Sequence, residues 1–129
     1  MTRFFLYVLM GLKGGIFINT VVLIGRLGSE PVLTETKDSH SRTVIQLAVP
    51  RSYRNQDGIY ETDFFRCVLW NGIAKRAKEY CKKGDTVCVK GRLQVRDYLD
   101  EHDEKKYITE VIAESISFVS SVKNKEESS

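Results

Sequence analysis

The sequence predicts a small all-β barrel that is interrupted by one short helix. Five segments are rich in β-branched and aromatic residues and are separated by turn-forming residues, a pattern typical of strands. One segment between the third and fourth strands has helical periodicity instead. Gly25 and Gly91 stand inside predicted strands, each in a Gly-Arg-Leu triplet, and glycine at such a position often marks a barrel corner.

Clear breaks separate the five predicted strands. Pro31 follows the first strand, and proline cannot continue a central ladder. The second strand is followed by a long hairpin loop containing the turn sequence Asn-Gln-Asp-Gly, and the last hairpin has the acidic loop LDEHDE. The strands are predicted over residues 18–27, 43–49, 61–70, 85–98 and 105–119.

The predicted helix covers residues 71–83. Its apolar side chains recur at i, i+4, i+7 and i+8, which places Ile73, Ala77, Tyr80 and Cys81 on one stripe. Asn71 is a suitable N-cap residue, and Gly84 can adopt the left-handed conformation just beyond the last turn. The sequence therefore predicts one short, one-sided helix.

Five strands with a helix between the third and fourth match the OB-fold, a partly open five-stranded Greek-key barrel. A flat sandwich would need more strands. The chain has 129 residues, enough for one domain around one core. We predict an N-terminal extension over residues 1–17, the barrel domain over 18–119, and a short polar tail over 120–129.

The side chains of the third and fourth predicted strands separate into two faces, because residues two apart in a strand share a face. The predicted core faces carry Phe65, Cys67 and Leu69, and then Val87, Val89, Gly91, Leu93 and Val95. The opposite faces carry Phe64, Arg66, Val68 and Trp70, and then Cys88, Lys90, Arg92, Gln94, Arg96 and Tyr98. If the two strands are neighbours, as we expect, aromatic rings and cations lie together on the non-core side.

Two interpretations of this aromatic and basic face remain open. It could bind single-stranded nucleic acid, because bases stack on rings while phosphates need cations. Alternatively, the rings belong to a subunit interface or a second small core, and the cations are solvated residues whose stems cover apolar surface.

The charge distribution favours nucleic-acid binding. Residues 42–96 contain twelve Lys or Arg and five Asp or Glu, whereas residues 97–104 contain five acidic residues and no Lys or Arg. The net charge of +3 therefore conceals a basic centre and an acidic hairpin tip. We interpret the five helix-region cations as a solvated face; they are Lys75, Arg76, Lys78, Lys82 and Lys83.

The sequence contains no motif for catalysis, a cofactor or a metal. Walker A, G-x-G-x-x-G, G-x-S-x-G and H-E-x-x-H patterns are all absent. Cys67, Cys81 and Cys88 have no C-x-x-C spacing, so neither a zinc cluster nor a disulfide framework is predicted. Free thiols fit a reducing cytosol. We predict no catalytic residues, no cofactor and no metal ligands.

The extension over residues 1–17 allows three interpretations. Its apolar run from Phe4 to Leu12 is too short to cross a membrane. It could be a signal peptide, although no small-x-small cleavage site follows. It could also be a translated leader before a later start, or an edge segment packed on the domain.

The sequence resembles the bacterial single-stranded DNA-binding protein family over residues 18–119. The resemblance lies in INTVVLIGRL, TVIQLAV, the KKGD after the helix, GRLQVRDY and YITEV. It implies a cytoplasmic homotetramer that binds single-stranded DNA independently of sequence in replication, recombination and repair. Carried over by position, the stacking residues would be Tyr53, Phe64, Trp70 and Tyr98. We expect the phosphate contacts to come from Arg51, Arg54, Arg66, Lys90, Arg92 and Arg96.

Two further expectations concern partners. In a tetramer, Val68 or Cys88 would face a neighbouring subunit rather than DNA. The family usually continues into a linker with an acidic, aromatic tip that recruits replication and repair enzymes, whereas this sequence ends in KNKEESS. Partner recruitment is therefore in doubt, and a truncated protein, a paralogue and a mobile-element version all remain open.

Two other functions fit the same fold. The chain could be a protein-interaction module of a replication-restart assembly with weak nucleic-acid binding. It could also be an OB-fold domain that binds RNA or serves as the specificity module of an enzyme.

Overall fold

A computed structural model of the chain describes residues 16–121, and these residues form six strands and one helix. The elements are β1 (Val21–Leu27), β2 (Thr34–Glu35), β3 (Ser41–Arg54), β4 (Tyr60–Trp70), α1 (Asn71–Tyr80), β5 (Thr86–Leu99) and β6 (Lys105–Ser120). Residues 1–15 of the predicted extension and 122–129 of the predicted tail lie outside the described residues.

Five of these strands close into a barrel, which confirms the predicted OB-fold. The order across the sheet is β1-β5-β6-β4-β3, and β1 pairs back onto β3 through Arg26↔Ala48 and Leu27↔Leu47. The short strand β2 adds to the outer edge of β3. It was not predicted, because a two-residue strand has no periodicity.

The core fills the barrel and extends beneath the helix. Alternate residues of β3 point inward, so that Ile45 and Leu47 are fully buried, and α1 contributes Ala74 and Ala77. Burial raises the pKa of the Cys67 thiol to about 11. At neutral pH this thiol is therefore protonated and poorly reactive.

Both predicted ends of the helix need correction. Asn71 has a positive φ of 51° and forms no cap; its side-chain oxygen accepts a hydrogen bond from the Ser41 N–H at 3.2 Å. The helix ends at Tyr80, three residues earlier than predicted. The helix ends early because the Lys82 N–H donates to the Asp85 carboxylate at 2.9 Å, which starts a turn. Gly84 lies in this turn and has a φ of 91°.

Gly25 and Gly91 stand where two backbones approach closely, in agreement with the prediction of barrel corners. A Cβ atom on Gly25 would lie 2.5 Å from the carbonyl oxygen of Ala48, beside the pairing that closes the barrel. A Cβ atom on Gly91 would collide with the carbonyl oxygen of Ile112, next to a register shift in the β5–β6 ladder. Any side chain at these positions would push the strands apart.

The predicted core face of the fourth strand is wrong beyond Gly91. Leu93 and Val95 are 46% and 62% exposed, because β1 pairs with β5 only as far as Gly91. Beyond that point β5 pairs with β6 alone, and the two strands form a hairpin arm that leaves the barrel. Just before β1, the side chain of Asn19 extends the contact with β5 through two hydrogen bonds to the Leu93 backbone, of 2.8 and 2.9 Å.

Of the two residues expected to face a neighbouring subunit, Val68 or Cys88, burial excludes Val68, whereas Cys88 is half-buried. Val68 is on the predicted non-core face of β4, yet it is buried within the chain. β4 runs between β3 and β6, so Val68 is flanked on that face by Val44 and Ile112.

We expect Gly25→Ala to destabilise the protein by about 1–3 kcal/mol, the usual cost of forcing extra volume into a packed site. Thermal or urea unfolding measures the change. Gly72→Ala is the matched control, because a Cβ atom there meets nothing within 4 Å. Equal stabilities of the two variants would contradict the close approach at Gly25.

Candidate nucleic-acid interface

Four neighbouring strands, in the order β3-β4-β6-β5, present one continuous surface, which we call the binding face. Paired residues of adjacent strands point to the same side. The register Gln46↔Arg66 joins β3 to β4, Val68↔Ile112 joins β4 to β6, and Gln94↔Glu110 joins β6 to β5. The face includes Arg42, Gln46, Tyr60, Phe64, Arg66, Trp70, Arg92, Gln94, Arg96, Tyr98, Ile108 and Glu110.

The expected adjacency of the third and fourth predicted strands is wrong, because β6 lies between β4 and β5. β6 therefore contributes Ile108 and Glu110 to the centre of the binding face. The aromatic rings and cations of β4 and β5 still share that face, but a buried carboxylate separates them.

The four predicted stacking residues are all exposed. Phe64, Trp70 and Tyr98 lie on the binding face. Tyr53 lies at the end of β3, within the segment where the β3–β4 register shifts. Large rings that remain partly open to solvent offer that surface to a flat ligand, and nucleobases are such ligands.

Guanidinium groups accompany two of these rings. The Arg42 guanidinium lies 5.8 Å from the ring centroid of Trp70, and that of Arg96 lies 6.0 Å from the centroid of Tyr98. Both distances fall within the range of cation–π attraction. Each pair places a ring and a positive charge side by side, which suits a base and its phosphate.

Arg66 and Arg96 both bind the carboxylate of Glu110, which is only 4% exposed. The Arg66 Nε–Oε2 distance is 2.5 Å, and Arg96 donates through Nε at 3.1 Å and Nη2 at 3.3 Å. Burial by itself would raise the pKa of Glu110, but the hydrogen bonds from Arg96 and Arg66 outweigh burial and lower it. The three groups form a fixed cluster with a net charge of +1.

The remaining predicted phosphate contacts differ in their surroundings. Arg51 is paired with Asp63 through Nε at 3.0 Å and with Glu61 through Nη1 at 2.7 Å. The hydrogen bonds from Arg51 lower the pKa of Asp63. Arg92 donates to the side-chain oxygen of Gln94 at 2.6 Å.

Arg54 and Lys90 complete the predicted set. Arg54 lies over the ring of Tyr60 at 5.2 Å. Lys90 is exposed near the other end of β5, opposite Val22 of β1. The structure therefore brings Arg54, Arg66, Arg92 and Arg96 to the binding face, while Arg51 is occupied by carboxylates and Lys90 lies apart.

Sequence reasoning missed five residues of the binding face, which are Arg42, Gln46, Tyr60, Ile108 and Glu110. Arg42 and Tyr60 each stand one residue outside a predicted strand, and strand ends are hard to place from sequence. Extending the alternation of the third strand by one residue would have found Tyr60. Glu110 had no local signal, because its role depends on two strands that are distant in sequence.

A cleft of about 600 Å³ lies where β4 and β6 separate, and residues of both the binding face and the opposite face line it. These strands pair only at Cys67↔Val111 and Val68↔Ile112, and they separate before that point. The cleft is lined by Gln46, Phe64, Phe65, Arg66, Leu93, Ile108, Thr109 and Val111. A lining that is mostly apolar and includes the ring of Phe64 and the guanidinium of Arg66 can accept a flat, partly polar base.

Residues 16–121 contain neither a metal-binding cluster nor a helix that could cross a membrane. No group of three or more His, Cys, Asp or Glu residues there is arranged to hold a metal ion. No helix in the same range has the length and apolar character needed to cross a membrane.

The model of the single-strand binding protein family matches residues 18–119. This range is most of the chain and contains every strand of the barrel except the end of β6. The chain belongs to the single-strand binding protein family. Family membership confirms the resemblance found in the sequence.

The region matched by this chain is a different share of the length of each curated relative. Single-stranded DNA-binding protein 1 of Streptococcus pyogenes serotype M18 is 42% identical over 98 residues, which are 76% of this chain and 75% of that protein. The single-stranded DNA-binding protein of Bacillus cereus is 41% identical over 102 residues, 79% of this chain and 60% of that protein. The corresponding protein 1 of Lactococcus lactis is 38% identical over 106 residues. This chain thus covers less than two thirds of the Bacillus cereus protein.

We expect Glu110→Gln to lower the stability of this family member at neutral pH by about 1.5–3 kcal/mol, the usual contribution of hydrogen bonds to charged groups. Because the folded pKa of Glu110 is lowered, its stabilisation is present above the unfolded pKa and is lost as the pH falls through the folded pKa.

Unfolding midpoints measured from pH 7 down to pH 2 check this expectation. The difference between wild type and variant should be largest at neutral pH and should shrink in acid. A difference that stays constant with pH would show that the loss does not come from the charge of Glu110.

Proposed function

We propose that this protein binds single-stranded DNA independently of sequence, without catalysis. One observation carries the proposal: exposed rings on the binding face stand next to guanidinium groups, at Trp70 with Arg42 and at Tyr98 with Arg96. Each ring can stack one base, at about 1–3 kcal/mol per stack. The guanidinium beside it can contact the adjoining phosphate.

The hydrogen-bonding groups of the face support sequence independence. Arg66 and Arg96 direct donors at Glu110, and Arg92 donates to Gln94. Donors that already bind protein acceptors are poorly placed to read the edges of bases. Stacking remains as the main contact with the bases, and it tolerates all of them because every base has a π-face.

In the cell, we propose that the protein coats exposed strands in the cytoplasm during replication, recombination and repair. A bound strand would be kept from reannealing and shielded from nucleases, since its bases lie against protein rings. The relatives from Streptococcus pyogenes, Bacillus cereus and Lactococcus lactis are single-stranded DNA-binding proteins, which supports the same role.

The proposal includes assembly into a homotetramer, which strand β1 supports. Val22 and Ile24 are each 57% exposed on the outer side of β1, facing away from the core. From Val21 to Gly25, one edge of β1 pairs with β5. Its other edge has no partner strand among the described residues, because β3 pairs with β1 only at Arg26 and Leu27. An open strand edge with apolar side chains invites pairing with another copy.

Trp70 is the only tryptophan, so its fluorescence reports directly on one proposed stacking position. We expect oligo(dT) to quench it saturably, with binding that weakens as salt rises because phosphate contacts release counterions. Trp70→Ala should weaken binding by about 1–3 kcal/mol, measured by anisotropy of a labelled oligonucleotide. Absence of both quenching and binding would refute the function and favour the protein-interaction module, and preference for oligo(U) would favour RNA.

Ile24→Glu should break the tetramer, because it puts a charge into the proposed contact between copies of β1. Analytical ultracentrifugation should show a tetramer for the wild type and smaller species for the variant. Val32→Glu is the matched control, since Val32 is 67% exposed in the loop after β1. A wild-type protein that sediments as a monomer at micromolar concentration would contradict the assembly.

A further inference from the structure

We propose that Tyr60, together with Arg54, forms an additional nucleobase-binding position that extends the DNA track beyond Phe64 to the end of the β3–β4 hairpin. This inference rests on the proposed function, because it assigns a further contact to the same bound strand. The sequence resemblance did not point to Tyr60, and the predicted third strand began one residue after it.

The register of β4 places Tyr60 in line with the predicted stacking residues. β4 is continuous from Tyr60 to Trp70, and residues an even number of positions apart share a face, so Tyr60, Phe64 and Trp70 point to the same side. The register shift in the β3–β4 ladder lies between Pro50 and Arg54 of β3. Four residues of strand put Tyr60 ~13 Å from Phe64 along β4. A strand that lies on Phe64 and continues towards the hairpin therefore reaches Tyr60 next.

Arg54 is held over the Tyr60 ring and keeps its charge available. The two residues are direct partners in the β3–β4 ladder, and the guanidinium lies 5.2 Å from the ring centroid. Glu61 and Asp63 of β4 are both bound by Arg51, and Asp57 in the turn forms no ion pair with Arg54 within the described residues. Within the described part of the chain, Arg54 has no ion pair with a carboxylate.

This ring keeps about half of its surface open to solvent. Tyr60 is 51% exposed although Arg54 covers part of it. Like the pair of Trp70 with Arg42, this pair places an exposed aromatic surface beside a guanidinium, and unlike Arg96 beside Tyr98, Arg54 is not bound by Glu110. A base can stack on the open part of the ring while its phosphate contacts Arg54.

The turn that follows Arg54 fixes this geometry before any ligand binds. The side-chain oxygen of Asn55 accepts hydrogen bonds from the N–H groups of Asp57 at 2.9 Å and Ile59 at 3.0 Å. The Asn55 N–H also donates to the Ile59 carbonyl at 2.8 Å, and Gly58 has the positive φ of 76° that the turn requires. A preorganised site loses less entropy when the strand binds.

Tyr60→Leu tests the inference, with Tyr80→Leu as the matched control. Tyr80 is also an exposed tyrosine, but it lies at the end of α1 and outside the binding face. Binding of labelled oligo(dT) should be measured over a series of lengths, from oligonucleotides that cover only Phe64 to longer ones. We expect at least a fivefold loss of affinity for Tyr60→Leu with long oligonucleotides, little change with the shortest, and recovery in Tyr60→Trp.

Three outcomes would overturn the inference. Tyr60→Leu could bind every length as tightly as the wild type, or it could lose the same factor at every length, which would indicate a general change in the fold. Tyr80→Leu could lose as much as Tyr60→Leu, so that the effect is not specific to the hairpin.

Phe64→Leu distinguishes failure of this inference from failure of the proposed function. If Phe64→Leu weakens binding while Tyr60→Leu does not, the track ends at Phe64 and single-stranded DNA binding stands. If the wild type binds no oligonucleotide of any length, the proposed function fails together with the inference.

Discussion

The short parallel pairing of β4 with β6 is the constraint on which the rest of the structure depends. Only Cys67↔Val111 and Val68↔Ile112 join these strands, yet they connect the β3–β4 hairpin to the β5–β6 hairpin. This pairing makes one continuous face from four strands. Because the strands separate before it, the pairing also leaves the cleft open between Phe64 and Ile108.

The same pairing brings a buried carboxylate into a face that is otherwise suited to bind an anion. Glu110 lowers the positive charge of the face and so weakens long-range attraction of phosphates. In return it holds Arg66 and Arg96 in fixed positions across the gap between the strands. A buried carboxylate needs such partners, since burying an unpaired charge is costly. At the centre of the face, Arg66 and Arg96 are thus held in fixed positions, while the total positive charge of the face is lower.

The two hairpins extend the face beyond the barrel in different ways. The β3–β4 hairpin is stiffened by the turn around Asn55 and by the bonds of Arg51 to Asp63. The β5–β6 arm carries Tyr98 and Arg96 on one side and exposed Leu93 and Val95 on the other. Both arms present rings beside cations, so a single strand can be held by stacking and charge at several points.

The sequence by itself determined the order of the elements, the OB-fold and most of the aromatic residues of the face. Those features are local: alternation along one strand selects Phe64 and Trp70, and close backbone approach requires glycine at Gly25 and Gly91. Tertiary structure alone decided that β6 separates β4 from β5, that Glu110 binds two arginines, that Leu93 is exposed, and that Arg54 lies on Tyr60. The physical reason is register, because alternation within a strand says which residues share a face but not which residue of a distant strand lies opposite.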